Sequence, residues 1–112
     1  MSKDYEVITQ DLTKYMGKLR KAIPDVMSGF GSMASAASTP NALNEKTKEL
    51  IALALGVAAH CEGCIGFHVK ALHRLNTTEE ELTEALGMAI YMGGGPSVMY
   101  AADALKAFAD LA

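Results

Sequence analysis

The chain has 112 residues, half of them hydrophobic and 21% charged, and its formal net charge is −3. This length predicts a single domain over residues 1–112. The negative charge argues against a nucleic-acid partner, because binding to phosphates needs a basic surface. The sequence lacks both a signal-peptide pattern in residues 1–6 and an apolar run of the about twenty residues that cross a membrane. We therefore predict a cytoplasmic protein with no membrane partner.

The apolar residues of the first segment recur every three or four positions, which is the period of an amphipathic helix. The stripe predicted to face the core consists of Tyr5, Ile8, Leu12, Met16, Leu19 and Ile23. Pro24 suits the first turn of a second helix, which extends to Ser38. This second helix is rich in Gly, Ala, Ser and Met, and its glycines weaken it in isolation. We therefore expect neighbouring elements to bury it.

A third helix is predicted over residues 45–59, with Asn44 as its N-cap. The residues predicted on its inward face include Leu50, Ile51, Ala54, Leu55 and Ala58. A fourth helix begins at a C-x-x-C sequence and extends to about Leu75. Thr78 and Glu81 form a capping box that opens a fifth helix, ending near Met92.

The sequence Gly-Gly-Gly-Pro at positions 93–96 marks a turn before the last helix. In that helix the apolar residues that recur every three positions are Met99, Ala102, Leu105 and Phe108. No segment shows the alternation of a strand. The predicted fold class is therefore all-α, with about six helices.

The C-x-x-C sequence contains the two cysteines of the chain, Cys61 and Cys64. At a helix start, unpaired backbone N–H groups and the helix dipole favour a thiolate over a thiol. His68 lies four residues after Cys64 and shares its helix face, so it can exchange a proton with that sulfur. This arrangement favours redox chemistry, with metal binding and inert packing as alternatives.

A carboxylate would complete a proton relay through His68, and Glu49 on the preceding helix is the candidate. The two helices are joined by a very short turn, so they must pack together, and Glu49 approaches His68 only if it faces inward. A solvent-exposed Glu49 stays open as the alternative. A structural zinc ion needs four ligands in a tetrahedron, and the chain has no second C-x-x-C. No metal is therefore predicted.

The spacing of Glu49, Cys61, Cys64 and His68 resembles that of the AhpD-like (alkylhydroperoxidase D-like) branch of the carboxymuconolactone decarboxylase superfamily. Residues 44–54, 77–86 and 91–97 also resemble the opening core helix, the next capped helix and the glycine turn of that branch. The resemblance implies an all-α fold that assembles as a homo-trimer or hexamer. It also implies thiol-dependent peroxide reduction or disulfide exchange, with an external dithiol as reductant and no cofactor.

The resemblance further implies a catalytic role for each of four residues. Glu49 is the proton acceptor, His68 the relay, Cys64 the buried thiol that attacks peroxide, and Cys61 the more exposed resolving thiol. The family's peroxidases also place a histidine directly before the second cysteine, where this chain has Gly63. Two alternatives stay open: a non-enzymatic redox sensor or scaffold, and a superfamily enzyme that acts on a small organic acid.

Overall fold

A computed structural model describes residues 3–112 and shows six helices, which confirms the all-α prediction. The helices are α1 (Tyr5–Ala22), α2 (Pro24–Ser38), α3 (Glu45–Ala58), α4 (Glu62–Arg74), α5 (Glu79–Gly93) and α6 (Gly95–Asp110). The chain forms no strand within residues 3–112. In the same part of the chain, no helix combines the length and the apolar character needed to cross a membrane.

Side-chain caps fix the starts of α3 and α5 where the sequence predicts them. The Oδ1 atom of Asn44 accepts a hydrogen bond from the backbone N–H of Thr47 at 2.8 Å. Thr78 and Glu81 form the reciprocal bonds of a capping box. Each cap pairs N–H groups that have no partner within the helix, so the caps favour these start points over neighbouring ones.

The turn between α3 and α4 is a tight helix-ending motif. The N–H of Cys61 bonds to the carbonyl of Gly56 at 2.9 Å, and the N–H of His60 bonds to that of Val57 at 3.1 Å. His60 has a left-handed backbone with φ of 58°, in the place where such motifs usually have glycine. A side chain in this conformation costs about 1 kcal/mol. The His60 ring stacks on Tyr100 with centroids 4.7 Å apart.

The buried core lies among α3, α4, α5 and α6, with the first turn of α1 packed against it. The larger side chains with no exposed surface are Tyr5, Leu53, Val57, Ile65, Val69, Leu72 and Leu82. The core face of α6 is made of alanines, namely Ala101, Ala104 and Ala107. These small residues allow α6 to lie close to its neighbours.

The predicted inward faces of α3 and α6 are partly wrong. Ile51, Leu55 and Ala58 of α3 are exposed, as are Met99, Ala102 and Leu105 of α6. The residues that α3 buries are Leu53, Gly56 and Val57. Both helices carry apolar residues on nearly every side, so the spacing of those residues does not select one face.

The prediction that neighbours bury α2 is wrong within the single chain, because α2 has no buried residue. Its apolar side chains Val26, Phe30 and Met33 are exposed, Phe30 by 61%. The predicted stripe of α1 is buried at Tyr5 only, and its later members Leu12, Leu19 and Ile23 are exposed. The second half of α1 and all of α2 therefore carry an apolar surface away from the core.

Candidate active site

The close contact between α3 and α4 depends on a glycine. Glu49, Leu53 and Gly56 are spaced by four and three residues, so they share one face of α3. A Cβ atom at Gly56 would lie 2.8 Å from the Cβ atom of Cys64, which is closer than two such atoms can approach. The absence of a side chain at Gly56 thus lets α3 pack directly onto the turn of α4 that carries Cys64.

The same face of α3 brings Glu49 to His68. The Oε2 atom of Glu49 lies 2.6 Å from Nδ1 of His68, and the Glu49 side chain is only 13% exposed. The orientation that the sequence left open is therefore inward. A carboxylate at this distance accepts a hydrogen bond from Nδ1–H, which leaves Nε2 as the ring atom able to take up a proton.

Cys61 is the N-cap of α4. Its Sγ atom accepts a hydrogen bond from the backbone N–H of Cys64, with a distance of 3.2 Å. Cys61 and Cys64 are both half-buried and are not joined to each other. The C-x-x-C sequence thus forms the start of α4, and the N–H of Cys64, which has no partner within the helix, points towards the sulfur of Cys61.

Cys64 has a different environment from the one expected for a thiol at a helix start. Burial is the main reason that the pKa of the Cys64 thiol is raised, and the hydrogen bond and coulombic interaction with Cys61 add to it. The resulting pKa is about 11. The backbone N–H has the opposite effect, but it is the smallest of these influences. Cys64 is therefore protonated at neutral pH, and the helix start alone does not make it a thiolate. Its reaction as a nucleophile requires a base.

The first helix closes over the middle of the C-x-x-C sequence. A Cβ atom at Gly63 would lie 2.9 Å from Cδ1 of Leu12 in α1. A side chain at position 63 would have to displace Leu12. The sequence predicted Leu12 for the core stripe but gave no sign of its contact with position 63, because that contact joins residues about fifty positions apart.

A charged cluster next to the cysteines was also absent from the sequence-based prediction. Lys3 Nζ lies 2.9 Å from Oε2 of Glu62 and 2.7 Å from Oδ2 of Asp103. The hydroxyl of Tyr5 donates to the same oxygen of Asp103 at 2.7 Å. The one available signal was the position of Asp103, an acidic residue flanked by alanines on α6.

The remaining histidine of α4 has a separate role. The Nε2 atom of His73 lies 2.7 Å from the carbonyl oxygen of Phe108, and the two rings stack with centroids 4.2 Å apart. His73 thus joins α4 to α6 away from the cysteines. Among residues 3–112, no group of three or more His, Cys, Asp and Glu side chains is arranged to hold a metal ion.

Comparisons with known proteins agree with this architecture. Residues 24–107 match the Carboxymuconolactone decarboxylase family. An uncharacterised protein of Cupriavidus necator is 39% identical over 108 residues, which are 96% of each chain. Uncharacterized protein 4 in the cox locus of Paracoccus denitrificans is 29% identical over 96 residues, or 86% of each chain.

Solved structures extend the likeness to the fold. The crystal structure of an apo carboxymuconolactone decarboxylase family protein from Legionella pneumophila has a TM-score of 0.93 and 57% identity, covering 96% of each chain. A protein of the same family from Thermotoga maritima, for which a role in the antioxidative response is suggested, has a TM-score of 0.79 and 25% identity. It covers 90% of this chain and 89% of its own. The chain therefore belongs to the carboxymuconolactone decarboxylase family.

Proposed function

We propose that the chain is a thiol-dependent peroxidase of the alkylhydroperoxidase type, with Cys61 and Cys64 as its redox pair. The observation that carries the proposal is the 2.6 Å contact between Glu49 and His68, one helical turn from Cys64. A buried thiol with a pKa of about 11 needs a base, and an imidazole oriented by a carboxylate can serve as one. The suggested antioxidative role of the Thermotoga maritima relative supports this chemistry.

In the first step, Nε2 of His68 accepts the proton of the Cys64 thiol while the sulfur attacks one oxygen of the peroxide. The O–O bond breaks, and the leaving alkoxide takes that proton from His68 and departs as an alcohol. Glu49 stabilises the imidazolium that forms in between. Cys64 is left as a sulfenic acid, so the sulfur has been oxidised by two electrons and the peroxide reduced by two.

In the second step, the sulfur of Cys61 attacks the sulfur of Cys64, a disulfide forms, and the hydroxyl group leaves as water with the proton of Cys61. One thiol of an external dithiol then attacks Cys61, the disulfide bond breaks, and His68 transfers the proton of that thiol to Cys64 as it leaves. The second thiol of the reductant releases Cys61 and completes the oxidation of the reductant to a disulfide. This cycle uses no cofactor, and it suits the reducing cytoplasm that supplies dithiols.

A redox sensor without turnover is the second candidate, and one contact favours it. Leu12 occupies the space beside Gly63 where the family's peroxidases place a further histidine. Without that histidine, the cysteine pair has one fewer neighbouring side chain that can transfer a proton. A sensor would be oxidised once by peroxide and would wait for a partner, whereas a peroxidase would continue to turn over.

Peroxide consumption with tert-butyl hydroperoxide and excess dithiothreitol separates these candidates. We expect repeated turnover in the wild type, none in Cys64→Ser, and a loss of about 10²-fold or more in His68→Gln. Glu49→Gln should lower the rate by a smaller factor, because it removes the group that orients the imidazole. His73→Gln is the matched control on the same helix and should keep the wild-type rate.

Two results would contradict the proposal. Consumption of a single equivalent of peroxide per chain would identify a sensor. Activity on a small organic acid that survives replacement of both cysteines would identify a superfamily enzyme of another kind. In the second case the contact between Glu49 and His68 would have a role other than peroxide reduction.

We further propose that the chain assembles as a homo-oligomer, a trimer or a hexamer, and that a second copy covers the apolar surface of α1 and α2. The accessible surface is 6946 Å², whereas a monomer of 11.9 kDa exposes about 6,000 Å². The excess of roughly 1,000 Å² is of the order of one side of a stable interface. Leu12, Tyr15, Met16 and Leu19 line an apolar groove on α1, next to the exposed apolar residues of α2.

A further inference from the structure

A charged cluster adjoins the cysteine pair and takes no part in the proposed relay. Lys3 bridges Glu62, which lies between the two cysteines in the first turn of α4, and Asp103 of α6. The distances are 2.9 Å to Glu62 and 2.7 Å to Asp103. The cation of Lys3 therefore joins a carboxylate of the C-x-x-C sequence to a carboxylate of the core.

Asp103 fixes the position of Lys3. The residue is only 2% exposed, and its Oδ2 atom accepts hydrogen bonds from both Lys3 and the Tyr5 hydroxyl. A buried carboxylate is costly unless cations and donors surround it, so Asp103 keeps Lys3 in place. The hydrogen bond from Lys3 to Asp103, and then that to Glu62, raise the pKa of Lys3, which stays charged.

The cluster contacts the residues on both sides of Cys61. On one side, Lys3 pairs with Glu62. On the other, the Lys3 ammonium lies 5.6 Å from the centroid of Tyr100, and the Tyr100 ring stacks on His60. Burial, with the hydrogen bond to Asp103, raises the pKa of Tyr5, which therefore remains a neutral donor. Lys3 thus contacts residues of both α4 and α6 at the end of α4 that carries Cys61.

We propose that Lys3 is a positioning residue for the redox pair: held by Asp103, it neutralises Glu62 and so favours the Cys61 thiolate and the reduced dithiol. A carboxylate beside a sulfur opposes the thiolate, and a cation that pairs with that carboxylate removes the opposition. A more stable thiolate stabilises the reduced pair, which raises its reduction potential. This inference rests on the proposed redox role of the cysteines but concerns a residue outside the relay.

Alkylation of Cys61 by iodoacetamide at pH 7, followed by mass spectrometry in a Cys64→Ser background, tests the charge effect without a disulfide or a peroxide. Lys3→Met should slow this alkylation about threefold, as expected for a partly exposed ion pair. The double change Lys3→Met with Glu62→Gln should restore the original rate. Lys70→Met is the matched control, because it removes a cation from an exposed position of α4 and should leave the rate unchanged.

The reduction potential of the pair, measured in glutathione buffers with both cysteines present, gives an independent reading. At a pH high enough for the Cys61 thiolate to predominate in the reduced pair, Lys3→Met should lower the equilibrium constant for reduction about threefold, which is about 14 mV for a two-electron couple. Lys3→Arg keeps the cation and should keep the wild-type potential.

An alkylation rate unchanged by Lys3→Met would overturn the inference. A slower rate that Glu62→Gln does not restore would also overturn it, because it would mean that Lys3 does not act by pairing with Glu62. Neither result depends on peroxide turnover. If the double variant restores the alkylation rate but the chain shows no peroxide turnover, this role of Lys3 is supported and only the proposed function is contradicted.

Discussion

The helix pairs α3–α4 and α1–α2 are both joined by very short turns, yet they are packed very differently. The first pair buries Leu53, Val57, Ile65 and Val69 and brings Glu49 to His68. In the second pair, α2 has no buried residue. Two neighbouring pairs of helices with similar apolar content can thus differ completely in what they contact. A pattern of apolar residues predicts a helix better than it predicts the partner of that helix.

Hydrogen bonds connect the end of α2 to the α3–α4 pair. The ammonium of Lys48 in α3 donates to the carbonyl oxygens of Ala37 and Thr39 at 2.9 and 2.7 Å. These bonds join the end of α2 to α3 without covering Phe30 or Met33. The single chain therefore leaves the apolar surface of α2 exposed.

The largest effect is expected from a substitution in the exposed apolar surface of α2. Phe30→Lys places a charge in the exposed apolar surface and should shift the assembly to a monomer, because burying an unpaired charge in an interface is costly. Light scattering coupled to size-exclusion chromatography measures the mass. Gln10→Lys, at an exposed polar position of α1, should leave the assembly intact. A wild-type chain that is monomeric at micromolar concentration would refute the predicted interface.

A smaller effect is expected when a glycine is replaced by alanine in each of the two helix pairs. Gly56→Ala should destabilise the fold by about 1–3 kcal/mol, because its Cβ atom collides with Cys64. Gly17→Ala in α1 should instead stabilise it by up to about 1 kcal/mol, because nothing lies within 4 Å and alanine favours the helix. Urea unfolding measures both. A Gly56→Ala variant as stable as the wild type would mean that α3 and α4 are not packed as tightly as described.

A third prediction concerns the helix next to the α3–α4 pair. Thr78→Ala removes the side-chain oxygen that caps α5 and should cost about 1 kcal/mol of unfolding free energy. Thr83→Ala, within the same helix and exposed, tests for a general effect of losing a threonine and should change stability much less. Thermal unfolding of the two variants gives the comparison. Equal losses would show that the cap does not fix the start of α5.

The smallest predicted effect is a pH dependence that belongs to the α3–α4 pair. The pKa of Cys64 is about 11 in the folded chain, against about 8.5 for a free thiol. The folded state thus holds this proton more tightly, and its contribution is present below about pH 8.5 and is lost as pH rises towards 11.

Urea unfolding between pH 8 and 9, below the pH at which Lys3 and Tyr5 titrate in the unfolded chain, measures this loss. We expect about 1 kcal/mol or less, because solvent reaches half-buried Cys64. Cys64→Ser should abolish the slope in this range. An equal slope in that variant would assign it to another group.

The sequence alone determined the helices, their caps and the cysteine spacing, because each depends on residues within a few positions of one another. Asn44 and the pair Thr78 and Glu81 start helices through local hydrogen bonds, and the proline and glycine positions break the chain. The i, i+4 relation of Cys64 and His68 follows from helix geometry. These features required no knowledge of how the helices pack.

The tertiary structure decided which helix faces are buried and what surrounds each sulfur. Glu49 meets His68 because Gly56 lets α3 approach α4, and Cys64 remains a thiol because that approach buries it. Lys3 meets Glu62 across nearly sixty residues of sequence. Such contacts depend on the relative placement of whole helices. In helices that are apolar on most sides, the spacing of residues does not specify that placement.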